Sequence, residues 1–583
     1  MIILFENATY NASFIKELNM PAGCYSTPTD NQARINCVGY FFSTSKSDAV
    51  FILPKVFLKA SKSGLSAFGT YNIDDFTNYP FPKNVNENSV LTDNVFNISF
   101  WIYLAIKRFQ REHPDSGIIL DCRQTLNITS RKGTSTCTLI DVILSLIDFH
   151  KKHQTLLTYY SLISHSGKDR IHWTKTINHS QPYIVGNQPF YLDPLRHDKQ
   201  IDYNEQLISL FYSVLNYLNN SFKIDATPTL SYRIIPPKKI RSMIASGKGT
   251  RLLKSIRKRY FKDEFVLLWN LLYTFFAHCQ NVKSKSSSEE ALIAKDFNIV
   301  FEAMTDSLVS DPENSLPRGI REQRDGKIID HIYLDKAPFG TGKIYHIGDS
   351  KYYLDSNSIT GESIYKQYTY ARNVIQECIN LYYWEPEEYT RHGLAYRDPI
   401  TEGYCPTPNF FIRGKYFAEN DNPFSTTELH INRLDFNKKR DMQFQFPSRL
   451  FDRDTLILMT FEVNFMYILH AFATGNDVSN ARAALRSHFR KGFMETLESL
   501  YEIKPLENVT AEFVVQNFHE FNGKVFYDNA NKRFLSASPR LPISSGRGHG
   551  VCCNWLTIKH HFNSGVETQA FFGHVSTPRF ITH

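Results

Sequence analysis

Apolar residues along this chain fall into runs with different periods. Residues 34–60, RINCVGYFFSTSKSDAVFILPKVFLKA, are rich in β-branched and aromatic side chains and predict strands. Pro54, inside AVFILPKVFL, points to an edge or bent strand. Residues 97–113, NISFWIYLAIKRFQREH, predict a helix with a basic C-terminal end. Residues 138–166 read as a helix or helix pair. Turn residues, a short amphipathic stretch and strand-like pieces follow over 166–193, an order that suits a winged helix-turn-helix. Helices are predicted over 203–222 and 264–281. Residues 291–309 place Ile293, Phe297, Val300, Phe301, Met304 and Leu308 on one stripe and predict an amphipathic helix, ended by DPENSLPRG. KIIDHIYL (327–334) and KIYHIGDSKYY (343–353) read as strands joined by DKAPFGTG, and ESIYKQYTYARNVIQECINLYYW (362–384) as a helix. The order over 291–384 is therefore helix–strand–strand–helix. Two more helical stretches, 456–475 and 479–500, precede short β-like pieces around KVFYDNANKRFLSASPR. There is no internal repeat.

A chain of 583 residues exceeds one ordinary core. The pattern divides it into an N-terminal β-rich domain (1–135), a helical, basic domain with a winged-helix reading (136–282), a core domain (283–400) and a C-terminal helical and β region (401–583). NVKSKSSSEE (281–290), Ser/Lys-rich and free of large apolar residues, is the best linker candidate. With 42% apolar and 14% aromatic residues, folding is expected rather than disorder. The richest apolar run, FVLLWNLLYTFFAH (265–278), falls short of the roughly 18–20 residues a membrane helix needs. The opening MIILFENATYNASF carries Glu6 early and reads as no signal peptide. Nine cysteines without metal-type spacing argue for reduced thiols, a cytoplasmic protein and no structural zinc.

Strand alternation makes a sharp claim about 343–353: Asp349 and Lys351 point to the same face, shared with Ile347 and Tyr353. An acid and an ammonium on an otherwise apolar strand are costly unless something uses them. Asp330 is expected in the middle of the preceding strand, among Ile328, Ile329, Ile332 and Leu334. If the two strands pair, Asp330 and Asp349 converge. Two carboxylates with a lysine suit phosphodiester hydrolysis. Hard oxygen ligands hold Mg²⁺, the metal polarises phosphate and acidifies a bound water, and the lysine positions that water or stabilises the phosphorane. The alternative is a strand-edge ion pair without chemistry.

Ile329-Asp330 followed nineteen residues later by Asp349-Ser350-Lys351 resembles the PD-(D/E)xK nuclease superfamily. Ile stands where that pattern has Pro, and Asp is chosen over Glu. The resemblance implies an α/β (α+β overall) restriction-endonuclease-like core, a mixed sheet flanked by helices, with N-terminal β-rich/helical and C-terminal helical/β extensions. It implies Mg²⁺ as cofactor, with Mn²⁺ able to substitute. Members of the superfamily often carry an acid on the preceding helix and a Gln and Tyr on the following one. Glu302, opposite the apolar stripe, and Gln367 and Tyr370, three apart on one face, match those places. The catalytic candidates are thus Asp330, Asp349, Lys351, Glu302, Gln367 and Tyr370, with Asp330, Asp349 and Glu302 as metal ligands. Over much of the chain CVGYFF…DAVFILPKVF, GKDRIHWTKTI, VFEAM, KQYTYA and FEVNFMYILHAF resemble LlaJI-type restriction endonucleases and the related McrC-like subunits. That resemblance implies a DNA endonuclease subunit of a restriction or anti-phage system. Its partner would be an McrB-like AAA+ GTPase, with homo-oligomerisation to cut both strands of duplex DNA.

The chain has no Gly-x-x-x-x-Gly-Lys-Ser/Thr loop; GTGK (340–343) and SGKGT (246–250) lack its spacing. Any nucleotide motor is therefore another chain. The net charge of +8 is thinly spread, but residues 236–265 carry ten cations before their first acid, Asp263. Lys238, Lys239, Arg241, Lys248, Arg251, Lys254, Arg257, Lys258, Arg259 and Lys262 suit phosphate contact, or else form a solvated helix face. A non-catalytic DNA-binding or assembly subunit and a RecB-like repair nuclease are the competing readings.

Overall fold

The N-terminal apolar runs become a five-stranded sheet because they are buried on both faces, where continuous rather than alternating apolar sequence is required. A computed structural model describes residues 1–43, 45–46, 48–61, 64–78, 89–122, 138–153, 159–166, 170–201, 205–222, 232–284, 290–433, 449–475 and 478–540. The strands are β1 (Ile2–Phe5), β2 (Val38–Ser43), β3 (Asp48–Leu53), β4 (Ile119–Cys122) and β5 (Ala291–Ala294), in spatial order β1-β3-β2-β5-β4. β1 and β3 run parallel; the other neighbours are antiparallel. Helix α1 (Ser89–Glu112) covers β2, β3 and β5.

Two expectations change here. Residues 291–294 belong to no helix: Ala-Leu-Ile-Ala is fully buried between β2 and β4, so its apolar character serves a central strand. The chain thus returns to the N-terminal sheet just before the core. Pro54 marks no edge strand either. β3 lies inside the sheet and stops at Leu53, and the proline opens a short 3₁₀ turn over Lys55–Phe57.

Between these parts lie helices α2 (Leu139–Lys152), α3 (Gln206–Phe222), α4 (Pro237–Ala245), α5 (Lys248–Ile256) and α6 (Asp263–Ser284). α6 receives α2, α3, α4 and α5. Residues 159–164, read within a helical stretch, form a strand paired with Arg196–Ile201. Helix α5 begins after Gly247 in the left-handed region (φ 64°), which lets two basic helices meet in a tight turn. Of the linker candidate, 281–284 end α6, Glu290 is buried, and 285–289 lie outside the described residues.

The second sheet is mixed. Its strands are β6 (His331–Lys336), β7 (Lys343–Lys351), β8 (Asn409–Lys415), β9 (Ile431–Arg433) and β10 (Leu458–Asn464), in the order β6-β7-β8-β10-β9. β7, β8 and β10 are parallel, with antiparallel strands at both edges. Helix α7 (Phe297–Val309) packs on one face, where Gly414 of β8 leaves room for Phe301: a Cβ there would lie 2.7 Å from the ring. Helix α8 (Gly361–Trp384) covers the other face, Ile364 packing with Phe411 and Leu458. The expected helix over 456–475 divides into β10 and α9 (Phe465–Thr474), with Asn464 capping α9 through the Met466 amide. All seven residues of β10 are buried, and an unbroken apolar run carries no period to tell strand from helix. Helix α10 (Val478–Leu500) backs α7, and α9 joins α1 and α7, so one apolar core runs through both sheets. A small antiparallel sheet of Tyr501–Leu506, Val525–Asp528 and Arg533–Pro539 follows. Among the described residues no helix is long and apolar enough to cross a membrane.

Candidate active site

β6 and β7 pair antiparallel from His331↔Gly348 to Lys336↔Lys343. Asp330 stands one residue before β6, not in mid-strand as expected, and Ile328 is 56% exposed. The chain there is occupied by a turn in which the Gln323 amide donates to the Lys327 carbonyl and the Ile329 amide to the Arg321 carbonyl. Continuing the register by one step sets Asp330 opposite Asp349. Asp349 is 2% exposed, near the C-terminal end of β7 on the face covered by α8. Lys351 lies two residues on, on the same face, with its Nζ 2.8 Å from the Asp349 carboxylate and 5.2 Å from the centre of the Phe411 ring.

The two carboxylates feel each other. Burial, then the negative charge of Asp349, pushes Asp330 up to about 7; His331 partly offsets this, and Glu302 adds to it. Glu302, half-buried on α7, is raised by burial and by Asp349 and Asp306, against relief from His331 and Lys366. α7 therefore places Glu302 within electrostatic reach of the carboxylate pair. From the other face, α8 brings Lys366, whose ammonium is held above its usual value by Tyr370 and by the charges of Asp330 and Asp349.

Gln367 and Tyr370 are buried against the sheet. Gln367 Nε2 donates to Asn409 Oδ1 at 2.7 Å, and the Tyr370 ring lies 5.4 Å from Lys366 Nζ. Gln367 thus ties α8 to the sheet, and Tyr370 sits against Lys366. The ten basic residues form a separate surface on α4, α5 and the 3₁₀ turn Arg257–Arg259, packed on α3 and α6. Nine are exposed; Arg257 lies over Trp269 at 5.1 Å. Among the described residues only Lys262 of the ten has an acid within ion-pair distance, Glu264 at 3.9 Å.

Reading along the chain missed a second layer behind the carboxylates. Asp306, one turn beyond Glu302, accepts from Arg321 Nη2 at 2.9 Å and lies 3.3 Å from His331 Nδ1. Arg321 Nη2 also donates to the Asp330 carbonyl at 2.8 Å, and His331 Nε2 lies 2.6 Å from Ser350 Oγ. The i, i+4 spacing of Glu302 and Asp306 was the available signal.

The donor set suits a hard divalent cation. Asp330 is driven toward its neutral form by a neighbouring carboxylate, and a cation between the two would return both to the charged form. Among the described residues no cluster of three or more His, Cys, Asp or Glu forms a ready cage. Mg²⁺ needs none, since it is usually held by one or two carboxylates, waters and substrate phosphate.

A family model described as LlaJI restriction endonuclease matches residues 72–374, just over half of the chain, and spans α1 through most of α8. No curated protein and no solved structure matches.

Proposed function

The chain belongs to the LlaJI restriction endonuclease family and so is a restriction-system nuclease that hydrolyses DNA; from this premise we propose that it cuts at Asp330, Asp349 and Lys351 with Mg²⁺. The observation that carries the proposal is that Asp330, one residue before β6, stands beside Asp349 of β7, with Lys351 bonded to Asp349 at 2.8 Å. Asp330 and Asp349 would hold the metal through their carboxylate oxygens, with Glu302 as the further acid from α7. Bound there, Mg²⁺ or Mn²⁺ supplies a polarised phosphate and an acidified water. Lys351 keeps its ammonium in the site through Asp349, ready to orient the attacking water and to neutralise charge on the phosphorane. Lys366 gives a second cation near the same phosphate. Gln367 and Tyr370 hold α8, and with it Lys366, against the sheet. The order α7-β6-β7-α8 and the mixed sheet support a PD-(D/E)xK core.

The basic surface of α4 and α5 binds duplex DNA without reading sequence, since phosphate contacts position but do not specify. Activation belongs to an AAA+ GTPase partner, for two reasons. The chain has no nucleotide-binding loop, and an ungated Mg²⁺ nuclease would endanger its host's chromosome. A second copy supplies the cut on the other strand. The test mixes purified chain, plasmid carrying the site, Mg²⁺ or EDTA, and the genomically neighbouring AAA+ protein with GTP. Linear plasmid is expected only with Mg²⁺, partner and nucleotide together, and none with Asp349→Ala or Lys351→Ala, which still bind DNA. Full cleavage by either variant refutes the site, and vigorous specific cutting by the isolated chain refutes the gating.

A further inference from the structure

The layer behind the carboxylates ties together the three elements that carry them. Asp306 stands on α7, one turn from Glu302. It accepts from Arg321 at 2.9 Å and from Ser310 Oγ, whose own oxygen accepts the Ile332 amide of β6 at 3.2 Å. Arg321 spends the same Nη2 on the Asp330 carbonyl at 2.8 Å. His331, 0% exposed, spans from Asp306 (3.3 Å) to Ser350 on β7 (2.6 Å). Burial alone would raise Asp306, yet its hydrogen bond to His331 and the charges of His331 and Arg321 hold it down at about 2.

Strand alternation gives this layer its reach. His331 and Ser350 point toward α7, whereas their neighbours Asp330, Asp349 and Lys351 point to the opposite face. Fixing the Asp330 carbonyl, the His331 ring and the Ser350 hydroxyl therefore fixes the backbone from which all three candidate groups project. On their own face Lys351 bonds Asp349 at 2.8 Å and α8 brings Lys366 near both carboxylates; the backbone that carries them is fixed from behind. We propose that Asp306, Arg321 and His331 are positioning residues: a latch behind the sheet that fixes the backbone from which the Asp330 and Asp349 carboxylates project, and so the geometry they would offer a divalent cation. This rests on the assignment of those two carboxylates as the metal site.

The experiment reads metal affinity directly. Mn²⁺ binding to the purified full chain is followed by the electron-paramagnetic signal of free Mn²⁺, alongside the Mg²⁺ concentration for half-maximal cleavage by the partnered enzyme. Asp306→Asn and Arg321→Lys should each weaken Mn²⁺ binding about tenfold, the scale seen when groups supporting metal ligands are removed. Lysine reaches one of Arg321's two acceptors, so it serves as the variant gentle to folding. The control is Asp311→Asn. Asp311 pairs with Arg486 at 2.7 Å and accepts the Leu334 amide at 2.8 Å, so it staples the same strand three residues further from the site. That variant should lose stability and keep its Mn²⁺ affinity. If Asp306→Asn and Arg321→Lys move the affinity no more than Asp311→Asn does, the latch is only structural and the proposal falls. Asp349→Ala separates the two levels. If it binds Mn²⁺ like the wild type, the metal site itself is misassigned and the latch falls with it. If it loses Mn²⁺ while the latch variants do not, only the latch is refuted.

Discussion

Glu290 offers a test of the fold that leaves the active site untouched. It enters β5, is 1% exposed, and accepts the Tyr40 hydroxyl at 2.8 Å and the Leu139 amide, at the start of α2, at 2.9 Å, both on Oε1. Its own carbonyl accepts the Phe42 amide at 2.9 Å. One side chain thus joins the N-terminal sheet to α2. Burial outweighs those two bonds and pushes its carboxyl from 4.5 up to about 7. A folded-state value above the unfolded one means that the folded protein holds the proton more tightly. The stabilisation is complete below pH 4.5 and is lost as pH rises through about 7. At about 1.4 kcal/mol per unit the interval is worth about 3 kcal/mol. Glu290→Gln keeps a carbonyl oxygen for both donors and removes the ionisation. It should stabilise the chain by about 1–3 kcal/mol at pH 8 and by almost nothing at pH 5. Denaturant melts at the two pH values, with amide exchange at Leu139 and Phe42 as local reporters, measure this. An equal effect at both pH values would refute the argument, because the carboxylate would then not be paying for its burial through ionisation.

Three further outcomes follow from the same kind of reasoning. His346, sandwiched at 4.9 Å against Tyr333, is pushed by burial down to about 4, so stability should fall as pH drops from 6.5 to that value; His346→Phe should flatten this acid limb in pH-dependent melts. Gly249→Ala should destabilise by roughly 1–3 kcal/mol, against helix propensity, because a Cβ would lie 2.2 Å from the Phe276 ring of α6; a double-mutant cycle with Phe276→Leu should recover most of the loss. Replacing Arg257, Lys258 and Arg259 together by Glu should weaken DNA binding alike for all sequences and flatten its log–log salt dependence by roughly three; an unchanged slope would make the stretch a solvated face.

What could be read along the chain divides by physical cause. α8 was legible because it has one buried face, so its apolar residues keep a period; β7 is buried along both faces, but its polar insertions and the Gly-containing turn before it still mark it, and the shared face of Asp349 and Lys351 follows directly from strand alternation. β5 and β10 were not, because burial on both faces erases that period. Asp330 was legible as a charge needing a partner but not as a residue outside the strand. The turn that displaces it depends on the Arg321–Ile329 and Gln323–Lys327 backbone bonds, which have no sequence signature. Arg321, Asp306, His331 and Ser350 are spread over forty-five positions and meet only because α7 docks on the back of β6 and β7. Each taken singly reads as an ordinary polar residue.

The contrast between Asp306 and Asp330 isolates what is functional in this site. Both are largely buried aspartates beside the same His331, and both contact Arg321, one through its carboxylate and the other through its carbonyl. Burial acts on each in the same direction. Asp306 receives hydrogen bonds from Arg321, Ser310 and His331 and is held at about 2; Asp330 faces Asp349 with Glu302 near and is pushed to about 7. A fold under selection for stability alone would treat the second as it treats the first, giving it donors. Among the described residues, the donors Arg321, Ser310 and His331 gather around Asp306, whereas the Asp330 carboxylate is set beside Asp349. On the proposed reading, the strain between the two carboxylates would be relieved when a divalent cation enters. That strain also sets the direction of linkage: metal that binds the ionised pair must displace the proton held by Asp330. Affinity should therefore rise with pH up to about 7 and level off beyond it. Mn²⁺ titrations across pH 5.5–8.5 measure that profile. A flat one would mean that the cation does not meet Asp330.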